Sequence, residues 1–269
     1  MKPLDFTGKW ILITGASSGL GREMAYQLAR QHKANLILLA RRAELLQKIK
    51  EDLQRNAGVA VETWSVDLSD QAQVKNAMDL ILAGGKLDAA ILNAGVTYFG
   101  PHLDINEVEF DRLIQVNVKS VVYMTTKLAA YFEERKSDAA LMLVTSMAAF
   151  LSTPYQAAYS GTKAFLLNFA DALRFELKDP RLSITVFAPG GIATEMTEGK
   201  KFDALRAWLM PVDQVATVAI RAFRYRKRLA IPGLANQAGW FLSHLLSRWF
   251  MTRQLGKTYG KALETRVGR

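Results

Sequence analysis

The chain has 269 residues, half of them apolar and 22% charged, which suits one large globular domain and excludes a disordered chain. It has no cysteine, so disulfides, thiolate nucleophiles and cysteine metal sites are excluded, and His32, His102 and His244 have no metal-ligand spacing. The net charge of +10 belongs to residues 221–269, where eleven Lys/Arg meet a single acid, Glu264; residues 1–220 are neutral.

The first residues, "MKPLDFTGKWILITGASSG", have too short an apolar run for a signal peptide, and no stretch of about 18 apolar residues marks a membrane span. A reducing, cytoplasmic setting is expected. Strands are expected at "WILIT" (10–14), "NLILLA" (35–40), "AVETWSV" (60–66), "DAAILNA" (88–94), "ALMLVTS" (140–146), "SITVFA" (183–188) and "LAI" (229–231). Most are apolar on both faces, as strands buried in a parallel sheet are. Helical patterns fall near 20–32, 43–56, 71–83, 106–134, 156–178 and 213–226, with a further helix over 235–264. Strict βα alternation predicts an α/β fold: a Rossmann-type, doubly wound parallel sheet of about seven strands. The division expected is one catalytic domain over 1–232 and a basic, amphipathic helical extension over 233–269.

The first strand runs into "TGASSGLG", with Thr14, Gly15, Ser17, Ser18, Gly19, Leu20 and Gly21 leading into a helix. The spacing is G-x-x-x-G-x-G. Glycines there permit a tight turn and close approach to a pyrophosphate, whose charge meets free N–H groups at the helix N-terminus. At the end of the second strand, where an acid would bind the ribose hydroxyl of NAD, stand Arg41 and Arg42. Guanidinium groups there favour the 2′-phosphate of NADP.

Further motifs follow in order. "DLS" contains Asp67 and Leu68; "LNAG" contains Asn93, Ala94 and Gly95; Asn117 lies in "QVNVKS"; Ser146 ends the fifth strand. Tyr159 and Lys163 then form Y-x-x-x-K, and "PGGIAT" supplies Pro189, Gly190, Ile192 and Thr194. In this order and spacing, over about residues 8–232, the chain resembles the short-chain dehydrogenase/reductase family. The resemblance implies an NADP(H) site at the residues of "TGASSGLG", Arg41, Arg42, Asp67, Leu68, 93–95, Tyr159, Lys163 and the "PGGIAT" residues named above. It implies catalysis by Asn117, Ser146, Tyr159 and Lys163: Tyr159 as proton donor, Ser146 orienting the carbonyl, Lys163 lowering the Tyr pKa and holding the nicotinamide ribose, Asn117 positioning a water. No metal is implied.

Physical chemistry bears on that pairing. Residues four apart share a helix face, and Lys163 has no carboxylate one turn away. A unit charge ~4 Å from the phenol at an effective dielectric of ~20 would bring Tyr159 from ~10 towards ~7. Two classes of function remain open here: an NADP-dependent reductase of a carbonyl, or a nucleotide-binding scaffold or sensor; an NAD-linked alcohol dehydrogenase is a variant of the first.

Residues 190–211 correspond to the family's substrate lid, with apolar Met196, Phe202, Leu205, Trp208, Leu209 and Met210. Val96, Tyr98, Phe99, Ala149 and Phe150 follow motif positions, and together they suggest an apolar carbonyl or alcohol substrate. In the tail, Trp240, Phe241, Leu242, Leu245, Leu246, Trp249 and Phe250 form a wide stripe among Arg248, Arg253, Lys257 and Lys261. Contact with an anionic membrane, a subunit contact, a flap over the site or plain packing each fit it. Nucleic acid does not, because the stripe is too apolar. A homodimer or homotetramer through 106–134 and 156–178 is expected by family analogy.

Overall fold

The computed structural model describes residues 2–195 and 209–264. The elements up to the middle of the chain are β1 (Trp10–Thr14), α1 (Gly19–His32), β2 (Asn35–Ala40), α2 (Ala43–Ala57), β3 (Val61–Ser65), α3 (Gln71–Ala83), β4 (Leu87–Leu92), α4 (Glu107–Ile114) and α5 (Ser120–Arg135). Then come β5 (Ala139–Val144), α6 (Ala157–Glu176), β6 (Leu182–Phe187), β7 (Ile192–Ala193), β8 (Met210–Pro211), α7 (Val212–Arg224), β9 (Leu229–Ala230), α8 (Leu234–Leu245) and α9 (Arg248–Glu264). Seven strands form one parallel sheet in the order β3-β2-β1-β4-β5-β6-β9. The chain reverses its winding between β1 and β4, and the crevice at such a switch point is where open α/β sheets bind ligands.

Alternate residues of each strand point into opposite layers. Ile11, Ile13, Leu36 and Leu38 pack with α1, α2 and α7 through residues such as Met24, Leu46 and Phe223. Leu12, Ile37 and Leu39 pack on the other face with α3, α5 and α6 through residues such as Met78, Phe132 and Leu166. Both layers being apolar explains the unbroken hydrophobic runs in the strands.

Two long helical patterns are interrupted. The expected helix over 106–134 is divided by a π turn, Gln115–Lys119. Asn117 there is fully buried and bonds the main chain of Val96 at both ends of its amide. The expected helix over 235–264 breaks after Leu246, which is extended (φ −97°, ψ 149°), and restarts with the Ser247 hydroxyl accepting from the Phe250 N–H at 3.3 Å. That is an N-cap, and it turns one helix into two. The short β7–β8 pair was not expected from sequence.

Candidate active site

The site forms at the carboxyl ends of β1, β2, β4, β5 and β6. Thr14 ends β1, and its hydroxyl accepts from the N–H groups of Asn93 and Ala94, both at 3.0 Å. The Asn93 amide returns a bond to the Thr14 carbonyl at 3.1 Å. These bonds tie the glycine turn to "NAG", so the two motifs build one wall. Gly15 has φ +69°, and a Cβ on Gly21 would lie 2.4 Å from the Gly15 carbonyl oxygen. No larger residue fits at Gly21, and the turn is therefore as tight as a dinucleotide cradle requires.

An anion already occupies the start of α1. The Glu195 carboxylate accepts from the Gly19 N–H at 3.1 Å and pairs with Arg22 at 2.9 Å. Burial works to raise this carboxyl, but its own backbone N–H, Arg22 and Gly19 outweigh it and hold it below the usual range. A helix N-terminus that takes a carboxylate is suited to a diphosphate. Thr194 packs over Gly19, and Pro189 accepts from the Met147 N–H at 2.8 Å, so the "PGGIAT" segment closes over the turn. Ile192 lies in β7, and Gly190 leaves room for the Asn236 amide of α8.

The two arginines separate in role. Arg42 reaches back to the glycine turn, bonding the Ser17 hydroxyl at 2.9 Å and the Ser18 hydroxyl at 2.6 Å. Arg41 instead faces Asp67 at 3.8 Å. Burial raises the Asp67 carboxyl, but bonds from Ser69 and the charge of Arg41 leave it below its ordinary value. Leu68, next in the chain, is buried, and its carbonyl accepts from Ser120 at 2.6 Å.

Lys163 and Tyr159 sit on one face of α6, with Nζ 5.7 Å from the centroid of the phenol ring. Lys163 is 3% exposed and donates to the Val144 carbonyl at the end of β5, at 3.1 Å. Burial lowers its pKa to about 8. A Cβ on Gly95 would lie 3.2 Å from Lys163 Nζ and 3.4 Å from Asn117 Oδ1, so the Lys and the Asn meet across that glycine. Asn117 also donates to Thr162 at 3.2 Å, next to Lys163 in sequence.

Tyr159 does not move towards ~7. Burial pushes its pKa above the ordinary value, a hydrogen bond from Ser146 offsets part of the rise, and the neighbouring phenol of Tyr259 adds to it. Lys163 does not reverse this: its Nζ is 5.7 Å from the ring centroid and turned to a main-chain carbonyl. Ser146 is held in place as the cap of a short turn, accepting from the Ala148 N–H at 3.1 Å.

Tyr259 was not among the residues expected at the site. It comes from α9, its ring centroid is 5.8 Å from that of Phe99, and burial raises its pKa. It is flanked by Gly256 and Gly260, whose missing Cβ atoms would lie 3.3 Å from Pro154 and 3.1 Å from the Tyr155 hydroxyl. The signal was present as "GKTYG": two glycines one turn apart let a helix press against the loop before Tyr159. Trp240 of α8 likewise packs edge-on against Phe150, with centroids 6.4 Å apart. Helices α8 and α9 thus wall the site where Phe99 and Phe150 stand. Of the lid residues, Met196, Phe202, Leu205 and Trp208 lie outside the described residues, while Leu209 and Met210 are partly buried. Among the described residues, no cluster of acids and histidines could hold a metal.

Three comparisons bear on this arrangement. The family model described as short chain dehydrogenase matches residues 9–204. The 17-beta-hydroxysteroid dehydrogenase type 3 of Mus musculus is 32% identical over 193 residues, spanning 71% of this chain and 62% of that protein. This chain therefore covers less than two thirds of that relative's length. A solved short-chain dehydrogenase from Sphingobium yanoikuyae in complex with NADPH superposes with a TM-score of 0.80 at 27% identity, covering 87% of this chain and 91% of that one. A Burkholderia phymatum structure in complex with NAD has a TM-score of 0.79 at 24% identity over 90% and 94% of the two chains, a likeness of fold. The match runs through the stretch that builds the glycine turn and carries Tyr159 and Lys163, and by it the chain belongs to the short chain dehydrogenase family.

Proposed function

We propose that this chain is an NADP(H)-dependent oxidoreductase that reduces the carbonyl of an apolar ketone or aldehyde. The observation that carries the reading is the meeting of Ser146, Tyr159 and Lys163 beside a glycine turn shaped for a dinucleotide. Bound nicotinamide supplies the hydride. The Tyr159 phenol, whose pKa burial raises, gives its proton to the carbonyl oxygen as negative charge develops there. Ser146 orients that oxygen. Lys163 would hold the nicotinamide ribose, and Asn117 would position the water that links Lys163 to solvent. Reduction is the direction that an NADP pool kept reduced by cells would drive. An intact set of four such residues argues against a scaffold that has lost turnover.

Arg42, bonded to Ser18 at the mouth of the turn, is the better-placed group for a 2′-phosphate; Arg41 is turned to Asp67, the residue that would contact adenine. Arg42→Ala is expected to weaken NADPH binding by about 10- to 100-fold, the worth of one charge-assisted contact, and to leave NADH nearly unchanged. Fluorescence titration of both nucleotides checks this, with Arg41→Ala alongside. Equal affinity for NADPH and NADH in the wild type would turn the reading to an NAD-linked alcohol dehydrogenase. Binding of neither would favour the scaffold.

The apolar substrate class rests on Phe99, Phe150, Trp240 and Tyr259 at the site and on the relative named as a hydroxysteroid dehydrogenase. Turnover of small polar sugars with none of apolar ketones would sink it. Tyr259→Ala is expected to raise kcat/KM for bulky ketones relative to small ones, with NADPH affinity unchanged; a uniform change across a ketone series would remove Tyr259 from the substrate wall. The extension 233–269 then serves the same site as the domain 1–232. Exposed Phe110 on α4 and Phe165 and Phe175 on α6 support a homodimer or homotetramer through those helices.

A further inference from the structure

The outer surface of α8 and α9 is unlike the rest of the protein. Trp240 turns inward to Phe150, but the remainder of the stripe faces out: Phe241, Leu242, Leu245, Leu246, Trp249 and Phe250. Leu245 is 65% and Trp249 66% exposed, so this is no packed seam. The six residues lie on both sides of the break between the two helices, all of them exposed. Scattered exposed apolar residues are ordinary, but a patch of this composition marks a surface that something covers.

What covers it is indicated by charge. Trp249, Arg253, Lys257 and Lys261 recur every four residues along α9, and Arg253, Lys257 and Lys261 are exposed. The Arg253 guanidinium lies over the Trp249 ring at 5.2 Å from its centroid. The adjoining face of α9, through Gly256, Tyr259 and Gly260, is against Pro154, Tyr155 and Phe99. One face is therefore committed to the domain, while the other offers aromatics at one end and a line of cations from there on. Glu264 is the sole acid in 221–269. Among the described residues, no helix is long and apolar enough to cross a bilayer. Aromatics that seat at the headgroup level, with cations reaching phosphates beside them, describe a helix lying in an interface.

We infer that the outer face of α8 and α9 is a docking surface for an anionic lipid bilayer, with Trp249 and Phe250 inserted at headgroup depth and Arg253, Lys257 and Lys261 on the lipid phosphates. The inner face of the same helices walls the proposed substrate site, so the contact sets that opening next to the phase in which an apolar ketone dissolves. The surface itself does not depend on the oxidoreductase reading, and its test requires no turnover.

The test is co-sedimentation of the full chain with vesicles of phosphatidylcholine alone and of phosphatidylcholine mixed with phosphatidylserine. The wild type is expected to bind the mixed vesicles, to bind neutral ones far less, and to be released by salt. Arg253→Gln with Lys257→Gln should lower the partition coefficient by about fivefold for each cation removed. Trp249→Ser with Phe250→Ser should also release the protein. All four positions are exposed, and unchanged circular dichroism and NADPH affinity would show the fold intact. Retention on neither vesicle, or equal and salt-insensitive retention on both, overturns the proposal. So does concentration-dependent self-association that the Trp249/Phe250 variant abolishes without vesicle binding, because a second copy would then be the partner.

Discussion

Tyr159→Phe is expected to lower kcat/KM for carbonyl reduction by about 10²- to 10⁴-fold, the usual worth of a positioned general acid, and to leave NADPH affinity within about twofold. The substitution keeps the ring and removes one hydroxyl, so packing on α6 should persist. The effect is large because no nearby group can replace the proton. The Ser146 hydroxyl is a much weaker acid than a phenol, and the ammonium of Lys163 is turned to the Val144 carbonyl. Steady-state rates on an apolar ketone, with nucleotide titration beside them, check this. A variant retaining more than about a tenth of wild-type kcat/KM would remove Tyr159 from the chemistry. Loss of nucleotide binding as well would indicate a positioning role instead.

Lys163→Met is expected to abolish turnover and to make the folded protein more stable at neutral pH. Lys163 titrates at about 8 in the fold against 10.5 as a free side chain, because burial disfavours its charge. The sign follows from proton counts. Between these two values the unfolded chain binds more protons than the folded one, so stability rises with pH across that window; below about 8 the full penalty applies. The shift corresponds to about 3 kcal/mol of destabilisation near neutrality, from which the lost bond to Val144 must be subtracted. A Tm gain of a few degrees at pH 7, shrinking as the pH approaches 10, is the outcome to look for by calorimetry. A fall in Tm at pH 7 would show that the Val144 bond outweighs the buried charge. A residue kept at a net cost to stability is one retained for its chemistry.

The sheet was legible because its signals are local. Short runs apolar on both sides, each followed by a helical period, announce parallel strands covered on both faces, and the seven runs became the seven strands within one or two residues. The candidate site was legible for a similar reason. Its glycines and polar residues sit at strand ends and helix starts, where spacing along the chain nearly equals placement in the fold. Interruptions within helices were harder to read. The π turn at Asn117 and the break at Ser247 each depend on one side chain bonding a main-chain group, a small event within a long periodic pattern.

Sequence alone determined the α/β architecture, the glycine turn after the first strand, and the pairing of Tyr159 with Lys163 on one helix face. Tertiary structure decided which arginine reaches the glycine turn, since Arg41 and Arg42 are equivalent until Asp67 and Ser18 claim one each. It also reversed the expected shift of Tyr159, because burial of the phenol depends on packing and not on spacing along one helix. Last, it divided the C-terminal stripe into a face that walls the site and a face left to solvent. Periodicity reports that a helix has an apolar side; only the packing of Gly256 and Gly260 on Pro154 and Tyr155 decides which side the domain takes.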